Sequence, residues 1–198
     1  MNVTEICNLA LSYIGKGRIN SLDDASEEAK KCRVHYDHDR RRLLMMFPWG
    51  FAKRTEKLAL LEASVPGWRY VYAFPAGCLW VRYVFDAPHA REKAADRQEF
   101  EAVLFGAAMR AVATDVPLAY AQFVADVRDT DFFSALFVEA LSHLLAASIA
   151  MGVTGSASLA EQQLRLCSAA VEQARCLAAL EEESDMRYPR KYQDARFS

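Results

Sequence analysis

Residues 67–85 read GWRYVYAFPAGCLWVRYVF, and their period is two. Trp68, Tyr70, Tyr72 and Phe74 alternate with Arg69, Val71 and Ala73, and past the break at Pro75 and Gly77, Leu79, Val81, Tyr83 and Phe85 alternate with Trp80, Arg82 and Val84. Successive side chains of a strand point to opposite faces, so both runs are expected to be strands with one strongly apolar face. The stretch around them, from Phe51 to about Val127, keeps this character: Pro66, Gly67, Pro75, Gly77, Pro88, Gly106 and Pro117 punctuate short runs rich in Val, Tyr, Phe and Trp. Inside it, residues 87–97 are charged and poor in apolar side chains, which predicts a loop or an exposed turn of helix and marks the piece most prone to disorder.

On both sides of this stretch the period becomes helical. Asn2 followed three residues later by Glu5 forms a capping pair, and Val3, Ile6, Cys7, Ala10 and Ile14 then repeat at helical spacing up to Gly15 and Gly17. Asp24 with Glu27 offers a second cap, and Ala25, Ala29, Cys32, Tyr36, Leu43 and Phe47 make one stripe, predicting a helix from about Ala25 to Phe47 before Pro48. Its other face carries Glu27, Lys30, Lys31, His38 and Arg41, a composition suited to solvent or to a neighbouring subunit. Beyond Asp131, Leu136, Phe137, Ala140, Leu141, Leu144, Leu145 and Ile149 define a broad apolar face ending at Gly152, so that helix is expected to be mostly buried. Ser158 with Glu161 caps a last long helix packed through Leu164, Cys167, Val171, Ala174 and Ala178 and fading at Glu181 to Glu183. The final SDMRYPRKYQDARFS has no periodic face and contains Pro189, so it reads as an extended arm.

The expected fold is therefore α+β: mainly an α-helical bundle of four main helices, with a β-rich insertion between the second and third helices and an extended C-terminal arm. The helical core would comprise residues 1–50 and 128–183, the insertion 51–127 and the arm 184–198. A chain of 198 residues with 53% hydrophobic side chains has enough apolar surface for a real core. The net charge of −2 lacks the basic excess that holds nucleic acid through its phosphates, so tight DNA binding by a monomer is not expected. The first twenty residues have no basic segment ahead of their apolar ones and carry Glu5 and Asn8 among them, unlike a secretion signal. No stretch reaches the roughly 18 uninterrupted apolar residues of a membrane span. The expectation is a soluble protein made inside the cell. Its five cysteines, Cys7, Cys32, Cys78, Cys167 and Cys176, are odd in number and scattered, which predicts buried free thiols rather than a disulfide framework.

The groups that resemble chemistry do not converge. Cys32, His35, Asp37, His38 and Asp39 hold metal-ligating atoms, but helical steps of three advance about 300° each and spread Cys32, His35 and His38 over the surface. Arg40, Arg41 and Arg42 lie on a helix with acids close by, so a solvated or intersubunit charge face is the plainer reading than a phosphate site. Gly15-Lys16-Gly17 lacks the earlier glycine of a phosphate loop, and the segment from Thr154 to Ser158 lacks the second glycine of a nucleophile elbow. Asp23 with Asp24, and Glu181 to Glu183, sit at helix ends and read as caps and solubilising charge. His143 falls in the buried-looking helix without a polar partner in sequence and reads as a satisfied core or interface histidine. No catalytic constellation, metal site or cofactor is expected.

Four phrases carry a resemblance: EICNLALSYIGKGRINSLDDASEEAKKCRVHYD at 5–37, FPWGFAKR at 47–54, GWRYVYAFPAGCLWV at 67–81 and DTDFFSALFVEALSHLLAASIAMGVTGSASLAEQ at 129–162. Together, and in this order, they resemble the tail tubular protein A, or head-to-tail adaptor, family of tailed bacteriophages, over 5–84 and 127–178. The resemblance implies a structural virion protein without catalytic residues, made in the host cytoplasm. It would form a ring of twelve copies beneath the portal protein and offer a platform to the next tail or nozzle component. Genomic DNA would pass through without sequence-specific binding, and a near-neutral chain suits that passage because a basic channel would retain DNA by counterion release. A ring needs two different contact faces on each subunit. Glu27, Lys30, Lys31, His38 and Arg41 are the candidates for one of them. Arg187, Tyr188, Arg190, Lys191, Tyr192, Arg196 and Phe197 in the arm are the candidates for portal binding, since aromatic and Arg side chains are enriched in interfaces. The alternatives are a connector or head-completion protein of a long-tailed phage and, from a different class, a small metal-dependent enzyme.

Overall fold

A computed structural model of the chain describes residues 1–87, 96–105 and 109–183. These hold four α-helices, α1 (Val3–Tyr13), α2 (Glu27–Met46), α3 (Ala135–Thr154) and α4 (Ala157–Glu183). Between α2 and α3 lie β1 (Lys53–Lys57), β2 (Tyr70–Ala73), β3 (Cys78–Phe85), β4 (Phe100–Phe105), β5 (Met109–Thr114) and β6 (Tyr120–Ala125), in two three-stranded antiparallel sheets. The protein is mixed α+β. Two compact units divide it within α2: residues 1–3 with 34–133, and residues 4–33 with 134–198.

The second unit is helical. The Ser134 hydroxyl accepts from the Phe137 N–H at 3.3 Å and opens α3, and Gly155 closes it at φ 72°, a left-handed conformation that glycine adopts without a Cβ penalty. α4 then packs along α3. Phe137, Leu141, Leu144, Leu145 and Ile149 are buried, each contributing about 1.5–3 kcal/mol of transfer free energy. The broad apolar face read from the sequence is thus a core face. By length and mean hydropathy α3 is also apolar enough to cross a membrane, contrary to the count of uninterrupted residues, because an average tolerates Glu139 and His143. Burial of 61% of its most apolar window is what a core helix shows. On α1, Ile6, Cys7, Ala10 and Leu11 are fully buried. The loop after α1 is tied back by Asn8, whose amide donates to the Ile19 carbonyl at 3.0 Å and accepts from the Ile19 N–H at 2.8 Å.

Two caps differ from the sequence reading. Asp24 accepts from the Asn20 and Ser21 N–H groups and orders the loop, while Ser26 caps α2 by accepting from the Ala29 N–H at 3.3 Å. Ser156, not Ser158, caps α4, accepting from the Leu159 N–H at 3.3 Å. In both places several Ser or Asp residues stand close together, and pattern alone does not rank them. On α4, Cys167, Val171 and Ala174 are buried as expected, whereas Leu164 is exposed and Gln163 takes a buried position beside it.

In the first unit β6 is central to one sheet, in the order β1-β6-β3, and β5 to the other, β2-β5-β4. β1, with the sequence KRTEK, has little strand propensity of its own and is held by its pairing with β6 from Lys53↔Val124 to Lys57↔Tyr120. The sheets also meet at their edges. Leu60, just after β1, bridges to Tyr72, with the Ala73 N–H donating to Ala59 and the Leu61 N–H to Val71, both at 2.8 Å. The Gln98 N–H, ahead of β4, donates to the Val84 carbonyl at 2.8 Å. The strands therefore close around one core of Leu58, Tyr72, Val81, Val84, Val112 and Phe123. The Tyr72 hydroxyl is satisfied at 2.6 Å by the Val116 carbonyl.

The strict alternation read from residues 67–85 is broken twice. Register shifts between Cys78 and Trp80 and between Val81 and Tyr83 change the phase of β3, so Val84 and Phe85 are both buried. In β2, Val71 and Tyr72 are also both buried, so this strand is covered on both faces. Cys7, Cys32 and Cys167 are buried thiols outside any disulfide and Cys78 is partly buried, but Cys176 is exposed on α4. Most of the charged segment 87–97, at 88–95, and the arm 184–198 lie outside the described residues.

Candidate functional site

The sequence-derived surface begins on α2. Glu27 and Lys30 are exposed and paired at 2.9 Å, and the Lys30 hydrogen bond, then its charge, hold the Glu27 carboxyl below its ordinary range. The stem of Lys31 lies over Gly152 of α3, where an added Cβ would come within 3.1 Å of Lys31 Cε. These three belong to the helical unit. His38 and Arg41 belong to the strand-bearing unit: the exposed His38 ring sets Nδ1 3.2 Å from the buried Asp39 Oδ1, and Arg41 reaches Asp126 Oδ2 at 3.1 Å. The five candidates therefore fall into two groups. The arm candidates, Arg187 to Phe197, lie outside the described residues.

Sequence reading missed the charge centre of the strand-bearing unit. Arg40, expected on a charge face, is fully buried. Its Nη1 donates to Asp126 Oδ1 at 2.6 Å and to the Val127 carbonyl at 2.7 Å, and its Nε and Nη2 lie 3.3 Å from Asp37 Oδ1. Arg41 and Arg128, the latter at 3.7 Å, complete the cationic surround of Asp126. Burial pushes the Asp126 carboxyl up. The Arg40 hydrogen bond and the charges of Arg40, Arg41 and Arg128 outweigh that and leave it below the usual carboxylate range. A planar fork serving a carboxylate, a backbone carbonyl and a second carboxylate is a task only Arg can perform. The cluster fixes α2 to the chain that leaves β6. The expectation of an exposed charge face stands corrected for Arg40. The nearby signal was Asp37 at i−3, but the decisive partners lie 86 and 87 residues away.

A second missed feature is the remainder of that helix face. Val34 and Met45 are large exposed apolar side chains, 69% and 45% accessible, and with His38 and Arg41 they form one row at spacings of four, three and four. The row is visible in sequence only when apolar residues on the polar face are sought as deliberately as those on the core face.

In the helical unit, His143 is buried and satisfied. The Gln163 amide nitrogen donates to the Tyr13 carbonyl at 3.4 Å, which turns its oxygen toward His143 and makes the imidazole Nδ1–H the donor at 2.7 Å. The Tyr13 ring stacks on the imidazole at 4.3 Å, and burial, then the charge of Glu139, raises the Tyr13 phenol above its ordinary value. This is the core histidine expected from the sequence, with its partner supplied from α4. Among the described residues, no group of three or more His, Cys, Asp or Glu side chains is placed to hold a metal ion. Compared with known proteins, the chain matches no family model and no curated protein.

Proposed function

We propose that this chain is a non-enzymatic structural subunit of a bacteriophage head-to-tail adaptor. It assembles with copies of itself into a ring of twelve, docks under the portal protein, and offers a platform to the next tail component in the virion. The observation that carries the reading is the ordered set of four phrases at 5–37, 47–54, 67–81 and 129–162, which together resemble the tail tubular protein A family. Among the described residues the order of elements, two helices, six strands and two helices, is compatible with the helical core and β-rich insertion that this resemblance implies. In the proposal, the exposed α2 row of Val34, His38, Arg41 and Met45 is a subunit face. Apolar side chains beside an Arg are the composition of an interface rather than of a solvated helix surface. The arm at 184–198 reaches the portal, and DNA passes through the ring held neither by sequence-specific contacts nor by a strong basic excess. No cofactor and no membrane enter the reading.

The test is the solution mass of the purified protein, alone and mixed with the portal protein of the same phage, by light scattering coupled to size exclusion. A ring-sized mass, or a stoichiometric gain on the portal, is the expected result. A monomer that ignores the portal overturns the proposal. Deleting residues from Ser184 onward is expected to abolish portal binding while leaving the melting transition in place, and unchanged portal binding would remove the arm from the reading.

A further inference from the structure

The register shift between Val81 and Tyr83 decides what the outer face of the β1-β6-β3 sheet carries. Val81 pairs with Phe123 and Val84 with Ala121, and all of these belong to the strand core. Trp80 pairs with Val124 and Tyr83 with Gln122, so these side chains take the opposite face. In an unbroken strand Trp80 and Tyr83 would fall on different faces. Arg82, the extra residue of the bulge, lets both rings stand on one face at successive outward positions, about 7 Å apart. That face is cationic. Tyr83 gathers two guanidiniums: Arg97 Cζ lies 3.8 Å from its ring centroid and Arg82 Cζ 4.9 Å, with Arg82 Nη2 donating to the Tyr83 hydroxyl at 3.3 Å and Nη1 to Gln122 Oε1 at 3.4 Å. On β1, Lys53 pairs with Val124 and Lys57 with Tyr120, which puts both on the outward alternation. Glu56, the acid of these three strands, pairs with Ala121 and belongs to the other alternation. Trp80 is 46% exposed, Lys57 and Arg97 are exposed, and Arg82 and Tyr83 are partly so. A chain of net charge −2 therefore carries a local patch in which aromatic rings stand among cations.

We propose that this sheet face binds single-stranded nucleic acid without sequence preference, the sugar–phosphate backbone running across Arg82, Arg97, Lys53 and Lys57 and a base stacking on Trp80. Unpaired bases are required, because an exposed ring on a sheet surface meets a base by its flat face, whereas the bases of a duplex already stack on one another. The step between the outward positions of β3 is on the scale of one nucleotide of an extended strand. Arg82 and Arg97 therefore meet a phosphate while Trp80 meets the neighbouring base. A guanidinium fork matches phosphate oxygens, and both guanidiniums are already ordered on Tyr83 before the ligand arrives, which lowers the cost of binding. One subunit suffices for this binding and no ring is required, so it is independent of the adaptor proposal.

The experiment titrates a labelled oligodeoxythymidine of about 15 nucleotides with the full chain and follows fluorescence anisotropy, with the unlabelled strand, a duplex of equal length and poly-L-glutamate as competitors. The expected result is micromolar binding at low salt, with the logarithm of the affinity falling against the logarithm of salt at a slope of about −3, roughly −0.7 for each of the four cations. Trp80→Ala should weaken binding roughly 5- to 100-fold without changing that slope. Trp80→Phe keeps a ring and should retain most of the affinity, which separates stacking from a loss of fold. Arg97→Gln and Lys57→Gln should each make the slope shallower by about 0.7, and Arg165→Gln on α4 should change nothing. Absence of binding at low salt overturns the proposal, as does a Trp80→Ala protein that binds like wild type. A duplex or poly-L-glutamate that competes as well as the unlabelled strand also overturns it, since charge attraction alone would then account for the binding.

Discussion

Replacing Arg40 by methionine is expected to destabilise the protein by about 3 kcal/mol, the low end of the roughly 3–5 kcal/mol that follows removal of one partner from a buried ion pair. The magnitude comes from what the guanidinium leaves behind. Asp126, 13% exposed, loses its shortest contact at 2.6 Å, and the Val127 carbonyl loses the donor at 2.7 Å. Arg41 at 3.1 Å and Arg128 at 3.7 Å still neutralise the carboxylate, which keeps the cost from the upper end of the range. For a chain of this length the loss corresponds to a melting point lower by roughly 6–12 °C, a large part of a total stability of about 5–15 kcal/mol. Urea titration followed by circular dichroism and tryptophan fluorescence measures it. Arg40→Lys retains the charge but not the fork, and should fall between the two. Removing both charges with Arg40→Met and Asp126→Leu should restore part of the loss, because neither member is then left buried alone. An Arg40→Met protein within about 0.5 kcal/mol of wild type would be behaving like a surface variant and would refute the assignment of a buried anchor.

The acid limb of stability should depend on Asp126: its folded carboxyl lies below the unfolded value, so its contribution is complete above about pH 4 and is lost as pH falls through the folded value. Asp126→Asn should therefore lose stability less steeply than wild type below that pH in an acid titration of the melting temperature, and identical slopes would count against the linkage. Gln163→Leu strips the partner from the buried His143 Nδ1–H at 2.7 Å and should cost about 1–3 kcal/mol by urea titration, with a cost near zero showing that the imidazole is satisfied some other way. Ser156→Ala should cost about 1 kcal/mol and Ser158→Ala a few tenths, and the reverse order in a melting comparison would return the α4 cap to Ser158. Val34→Asp and Met45→Lys should leave the melting temperature within a degree or two of wild type yet reduce the assembled mass in light scattering, while wild-type assembly by both would remove the α2 row from the proposed subunit face.

Faces set by local periodicity are legible in the sequence. The period of 3.6 around Leu141 and Leu144 and the period of two around Tyr70 and Val81 reflect which faces meet a core, and that is a local pattern. Errors arose where distant or competing partners decide. The bulges in β3 are visible only against β6, and this pairing interrupts the alternation that the sequence predicts through Phe85. In sequence Arg40 is indistinguishable from its neighbours Arg41 and Arg42, whereas its burial is set by Asp126 and Val127 across the strands. Asp24 and Ser158 were plausible caps displaced by Ser26 and Ser156, hydroxyls equally suited by chemistry and better placed by the preceding loop. The partner of His143 came from α4, which a single-helix pattern cannot supply.

The cations of α2 differ in what each already holds, and this bears on the proposed assembly. Arg40 is committed inside its unit, and Arg41 shares Asp126 with it while remaining 43% exposed. A neighbour that drew Arg41 away would have to compensate for the loosening of Asp126, so Arg41 is better suited to lying along an interface than to anchoring it. Arg42 is exposed, and Val34 and Met45 offer apolar area that solvent does not reward. In the proposed ring, the adhesive side chains of this helix are therefore the apolar ones. Within the arginine run, Arg40 anchors the helix beneath them to Asp126 and Val127, and a surface that is already ordered lowers the entropic cost of docking a second one.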